Sequence, residues 1–62
     1  MKNLKLKGAI VASGYTYEKL AKEIDVSTPI IQRAVNGKHT SIENANAICK
    51  ALDKSLNELF GE

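Results

Sequence analysis

The tripeptide "DVS", Asp25 to Ser27, constrains this chain more than any other feature. Before it, Tyr17, Leu20, Ala21 and Ile24 recur at i, i+3, i+4 and i+7, the spacing of one face of a helix. After it, Ile31, Ala34 and Val35 trace a second, shorter apolar stripe. A connection this short leaves no room for two helices to lie side by side, so the pair must cross at a large angle. One turn residue in such a link commonly needs a positive φ, and Asp25 tolerates that better than most residues other than glycine.

The rest of the chain keeps the same period. Leu6, Ala9, Ile10 and Ser13 form a stripe near the start, and Ile42, Ala45, Ile48, Cys49 and Leu52 form another. Leu56, Leu59 and Phe60 close the pattern. No run alternates with period two, so strands are not expected. The predicted helices span 2–13, 17–24, 28–36, 42–52 and 56–60, giving an all-α fold of five helices. Gly14 suits the end of the first, and Thr16 suits the cap of the second. Ser27 or Thr28 suits the cap of the third, with Pro29 tolerated in the first turn. Gly37 suits the left-handed residue after that helix. Thr40 with Glu43, and Ser55 with Glu58, have capping-box spacing before the last two helices.

Sixty-two residues are read as one domain, residues 1–62. A chain of this size buries about 60% of its unfolded surface, and its core supplies no more than roughly 3–5 kcal/mol of net stability. That excludes a large substrate cleft on a separate catalytic scaffold. Cys49 is the only cysteine, so disulfides cannot staple the fold, and a reducing, cytoplasmic setting is expected. The opening "MKNLKLKGAIVASG" has lysines followed by small and apolar residues, but its apolar part is too short for a signal peptide. No apolar run approaches the roughly 18 residues of a membrane span. The net charge of +2 is only weakly basic, so charge distribution must carry any case for nucleic acid.

That distribution is uneven. The stretch "VSTPIIQRAVNGKHTSI", Val26 to Ile42, has no Asp or Glu but carries Arg33, Lys38 and His39. At about 100° per residue, Ile31, Ala34 and Val35 fall together toward a core. Pro29, Gln32, Arg33 and Asn36 fall opposite, with Thr28 and Ile30 on the flanks. Arg suits guanine edges, and Gln or Asn suits adenine, through paired hydrogen bonds. A carboxylate on that face would be repelled by phosphates. Lys38 and His39 follow where a strand would pass. A polar outer face is also ordinary for a small soluble helix; the tight turn, the capped third helix and the basic loop together favour DNA.

Beyond these residues, "YTYEKLAKEIDVSTPIIQRAVNGK" resembles the helix-turn-helix of the lambdoid repressor/Cro (XRE-like) family. That family's usual pattern reads Thr-Gln-x-x-Leu-Ala-x-x-x-Gly-Val-Ser-x-x-x-Ile-Ser-x-x-x-x-Gly-Lys. Thr16, Leu20, Ala21, Val26, Ser27, Ile31, Gly37 and Lys38 match it. The later "AICKALDKSLNELF" is similar to the family's closing helices. The resemblance implies a five-helix, lambda-repressor-like DNA-binding domain, often dimeric, that regulates transcription in phages or bacteria.

Three departures stand out. Asp25 replaces the turn glycine. Tyr17 replaces a phosphate-binding Gln, so its hydroxyl takes over that contact or its ring packs. Ile10 and Val35 occupy positions where the family often pairs an Arg with a Glu. Both being aliphatic is physically consistent, since packed hydrophobes can replace a buried ion pair without loss.

The expected function is therefore a sequence-specific, Cro-like repressor that inserts the third helix into the major groove of double-stranded operator DNA. Thr28, Gln32 and Arg33 are the expected base contacts. Tyr17, Pro29, Asn36, Lys38, His39 and Thr40 are expected at phosphates or flanking positions. The protein is expected to bind as a homodimer at least on DNA, with Phe60 either finishing the core or meeting a second copy. Lys2, Lys5 and Lys7 are either a solvated helix face or added phosphate contacts.

Cys49, between Ile48 and Leu52, reads as a buried, inert thiol. His39 is the only histidine, so a zinc site lacks ligands. With no Ser/His/Asp set, phosphate-cradling glycine loop or acid/base pair, no enzyme, cofactor, membrane or small-molecule substrate is expected. The alternative is a protein-interaction module on the same fold, antirepressor or antitoxin-like, motivated by an exposed Ile30.

Overall fold

The computed structural model describes residues 2–61. Its helices are α1 (Leu4–Ala12), α2 (Tyr17–Glu23), α3 (Thr28–Val35), α4 (Ile42–Leu52) and α5 (Leu56–Phe60), with no strand among the described residues. The all-helical, five-helix architecture expected from the periodicity is the one present. Helix α2 packs on α3, α1 lies against both α5 and α3, and α4 contacts α5 and α2.

The core draws on every helix. Leu6, Ile10, Leu20, Ile31 and Ile48 are its fully buried large side chains, and Ala21, Ala34, Val35, Cys49, Leu52 and Leu59 complete the cluster. No polar or charged side chain among the described residues is buried with them. Leu56 and Phe60 pack on the cluster half-buried, and so do Tyr15, Tyr17 and Val26.

Two expectations about the apolar stripes need correction. Ser13 is exposed beyond the end of α1, and Ile42 is 66% exposed at the first turn of α4. A residue at the first turn of a helix that only then enters the core has nothing above it to pack against. Leu4 and Val11 are exposed as well, because α1 turns inward only the face that carries Leu6 and Ile10.

The helix starts also differ in part. α1 begins at Leu4 rather than residue 2, because the Asn3 side chain caps it, accepting from the Leu6 N–H at 3.0 Å. Thr16 caps α2 as expected, accepting from the Lys19 N–H. Ser27 is the N-cap of α3, but its side chain makes no capping bond. The Thr40–Glu43 box does not form. Ser41 caps α4 instead, accepting from the Asn44 N–H at 3.2 Å, while the Thr40 hydroxyl donates to the Lys38 carbonyl. With Ser at the next position, the chain can start the helix one residue later. The Ser55–Glu58 box is complete.

Four helix ends close in one way. After α2, the Asp25 N–H donates to the Lys22 carbonyl and the Val26 N–H to the Ala21 carbonyl, with Asp25 at φ 59°. The same paired bonds follow α1 around Gly14, α3 around Gly37 and α4 around Asp53. Two of these left-handed residues are glycine, and two are aspartate that pays a steric cost for the conformation.

Candidate nucleic-acid interface

Helix α3 divides cleanly between inside and outside. Ile31, Ala34 and Val35 are buried, which fixes its rotation about its own axis. Pro29, Gln32, Arg33 and Asn36 are therefore exposed, and Thr28 and Ile30 sit half-buried on the flanks. The turn at Asp25–Ser27 holds this helix against α2, and Val26 anchors the turn by packing on the core. Past the helix, the Lys38 N–H is tied to the Arg33 carbonyl at 2.9 Å, so the basic loop starts from a fixed point.

The exposed side chains point toward different hollows around the helix. Arg33 shares one with Ile30, His39, Thr40, Ser41 and Asn44. This brings a guanidinium and an imidazole to the start of α4, whose first backbone N–H groups lack intrahelical partners apart from the one bonded to Ser41. Gln32 and Asn36 share another hollow with Tyr17, Lys2 and Lys7. Tyr17 is half-buried, so its ring packs while the residue still lines the surface. Thr28 lies at the other end, in a groove with Thr16, Lys19, Lys22 and Glu18.

Glu18 qualifies the acid-free character of the surface. No acid lies within Val26–Ile42, yet the fold brings one from α2 beside Thr28. The hollows holding Arg33 and Gln32 have no carboxylate among their lining residues. The surface is thus most consistently suited to an anionic partner toward the C-terminal half of α3.

Some neighbours escape a reading by sequence. Asn44 reaches the Arg33 hollow because α4 follows α3 closely, and no local pattern marks it. Lys38 shares a further hollow with Lys2, Lys5 and Phe60, which joins the basic loop to the start of α1. Ile30 is half-buried and lines the Arg33 hollow, so it presents only part of its apolar surface rather than the fully exposed side chain expected.

Phe60 also lines a hollow of about 450 Å3 with Thr40, Ile42, Ala45, Leu56, Asn57 and Gly61. Cys49 lies away from these surfaces, 4% exposed. Burial pushes its thiol pKa up from the ordinary 9.0, and the nearby Glu58 carboxylate adds to the shift. A thiol held protonated in this way is a poor nucleophile. Among the described residues, no three His, Cys, Asp or Glu side chains gather as a metal centre would need. No helix among them is long and apolar enough to cross a membrane.

A family model described as helix-turn-helix matches residues 6–59, nearly the whole chain. No curated protein and no solved structure matches the chain in the same comparisons.

Proposed function

The chain belongs to the lambda repressor-like (XRE) helix-turn-helix family of DNA-binding transcription regulators, and from that premise we propose that it is a small Cro-like repressor. Helix α3 enters the major groove of a duplex operator. The observation that carries the reading is the outer face of α3, where Gln32, Arg33 and Asn36 stand exposed around a buried Ile31–Ala34–Val35 seam. Their amides and guanidinium match the donor and acceptor patterns of base edges.

In this reading Thr28, Gln32 and Arg33 contact bases. Tyr17, Lys38, His39 and Thr40 hold the backbone together with the start of α4, and Pro29 and Asn36 flank the groove. Arg33 and His39 share one hollow, which supports a strand passing over the α3–α4 connection. Repression is steric: a protein seated on an operator blocks the polymerase.

One reading helix spans only a few base pairs, so two copies on a two-fold site fit the proposal. The hollow lined by Phe60, Leu56 and the exposed Ile42 supports a contact between copies there. The origin is phage or bacterial, and the protein acts on DNA in the cytoplasm. A protein-interaction module on the same fold is less well supported, because Ile30, which would motivate it, is partly covered.

The deciding experiment is a selection from random duplex DNA at fixed salt. The expected product is a palindrome whose half-sites lie about one turn, roughly 34 Å, apart. Binding to it should weaken steeply as salt rises, because neutralised phosphates release counterions. No enriched sequence, or binding indifferent to salt, transfers the α3 face to a protein partner.

A further inference from the structure

Lys2 and Lys7 line one hollow of about 290 Å3 with Tyr17, Gln32, Val35 and Asn36. Three separate parts of the chain meet there: the residues just before and in the first turn of α1, the start of α2, and the second half of α3 with the residue after it. The polar groups brought together are two ammoniums, a phenol and two amides, all able to donate hydrogen bonds, and the lining has no carboxylate. From this geometry we infer that the hollow seats backbone phosphates of the duplex beside the reading face of α3, with Lys2 and Lys7 as the charged grips. The inference rests on the DNA-binding reading and extends it to the N-terminal segment.

The two lysines are held near α3 by the backbone. The Asn3 N–H donates to the Val35 carbonyl at 2.7 Å, and the Lys7 N–H donates to the Asn3 carbonyl at 3.1 Å. Lys2 adjoins the anchored Asn3 and so stands near the end of α3, and Lys7 stands one helical turn along α1 from that anchor. Gln32 belongs both to this hollow and to the exposed face of α3. A strand that meets Gln32 therefore passes the two ammoniums. Lysines near the C-terminal end of a helix also complement its dipole, so a purely structural role is the competing account.

The test is a pair of salt titrations of the 62-residue chain on its selected duplex and on a scrambled one. The wild type is compared with the double variant Lys2→Gln/Lys7→Gln and with Lys54→Gln as a control for lost charge. Lys54 lies in the α4–α5 link and does not line this hollow. The double variant should flatten the slope of log affinity against log salt by about 1.8, from about 0.9 for each phosphate neutralised. The change should be equal on both duplexes, with sequence preference kept, and Lys54→Gln should leave the slope as it was.

If the wild type binds DNA but the double variant keeps the full slope, this inference alone fails. A drop in melting temperature without a change in slope assigns the lysines to the helix end and overturns it. Equal flattening by Lys54→Gln reduces the effect to net charge and does the same. Saturable binding of inorganic phosphate by the free protein, lost in the double variant, would reassign the hollow to a free anion. If the wild type shows no salt-dependent DNA binding, the repressor reading fails first and this one with it.

Discussion

The Asn3 N–H donates to the Val35 carbonyl at 2.7 Å, so the residue before α1 is tied to the last residue of α3. The Asn3 side chain makes two further bonds. Its carbonyl oxygen accepts from the Leu6 N–H, and its amide donates to the Leu59 carbonyl at 2.7 Å. One residue thus caps α1 while joining the ends of α3 and α5.

Asn3→Ala should therefore cost more than a lost cap alone, about 1–3 kcal/mol in urea unfolding. Asn3→Asp separates the two roles. It keeps an acceptor for Leu6 at a helix start that favours negative charge, but it cannot donate to Leu59. Its stability should lie between the wild type and the alanine variant. An aspartate variant no better than alanine would show that the bond to Leu59 dominates.

Asp25 and Asp53 both take left-handed φ values, 59° and 56°, at helix ends closed by the same paired bonds. Glycine adopts this conformation without a Cβ penalty, but it loses more entropy on folding. Asp25→Gly and Asp53→Gly should each stabilise the protein by less than about 1–2 kcal/mol. The double variant should be close to additive, since the two turns share no partner. Thermal melts measure this, and unchanged or lower midpoints would count against strain at these residues.

Ile10 and Val35 are 1% and 5% exposed in the same core cluster, at positions where the family often pairs an Arg with a Glu. Val35→Glu alone would bury an unpaired carboxylate and should cost about 3–5 kcal/mol. Adding Ile10→Arg should recover part of that loss. A double variant no more stable than Val35→Glu would show that the two side chains cannot reach one another. Urea unfolding of the four proteins in the cycle supplies the coupling.

Arg33 and Lys38 should separate reading from holding. Arg33→Ala is expected to cost about 1–3 kcal/mol on the preferred duplex and to relax selection at one base position. Lys38→Ala should weaken all duplexes alike and flatten the salt slope by about one unit. Equal losses for Arg33→Ala on specific and scrambled DNA would demote it to a phosphate clamp.

The helical periodicity determined the number and order of the helices and the buried face of α3, because a side chain's side of a helix follows from its spacing. The turn chemistry likewise marked Asp25 as left-handed, and φ there is 59°. The resemblance at Thr16, Leu20, Ala21 and Val26 also pointed to the family that the chain belongs to. These are local or short-range properties, carried by residues a few positions apart.

Tertiary packing decided the rest. The link from Asn3 to Val35 and Leu59, the arrival of Lys2 and Lys7 beside Tyr17 and Asn36, and the placement of Glu18 next to Thr28 all join segments far apart in the chain. Ile42 carries the period of its stripe but remains exposed, because burial also requires a neighbouring element to cover it. Ser41, not Thr40, caps α4, and the Thr40 hydroxyl turns back to the Lys38 carbonyl instead. Spacing along one helix gives the direction of a side chain; which groups wait there depends on how the helices pack.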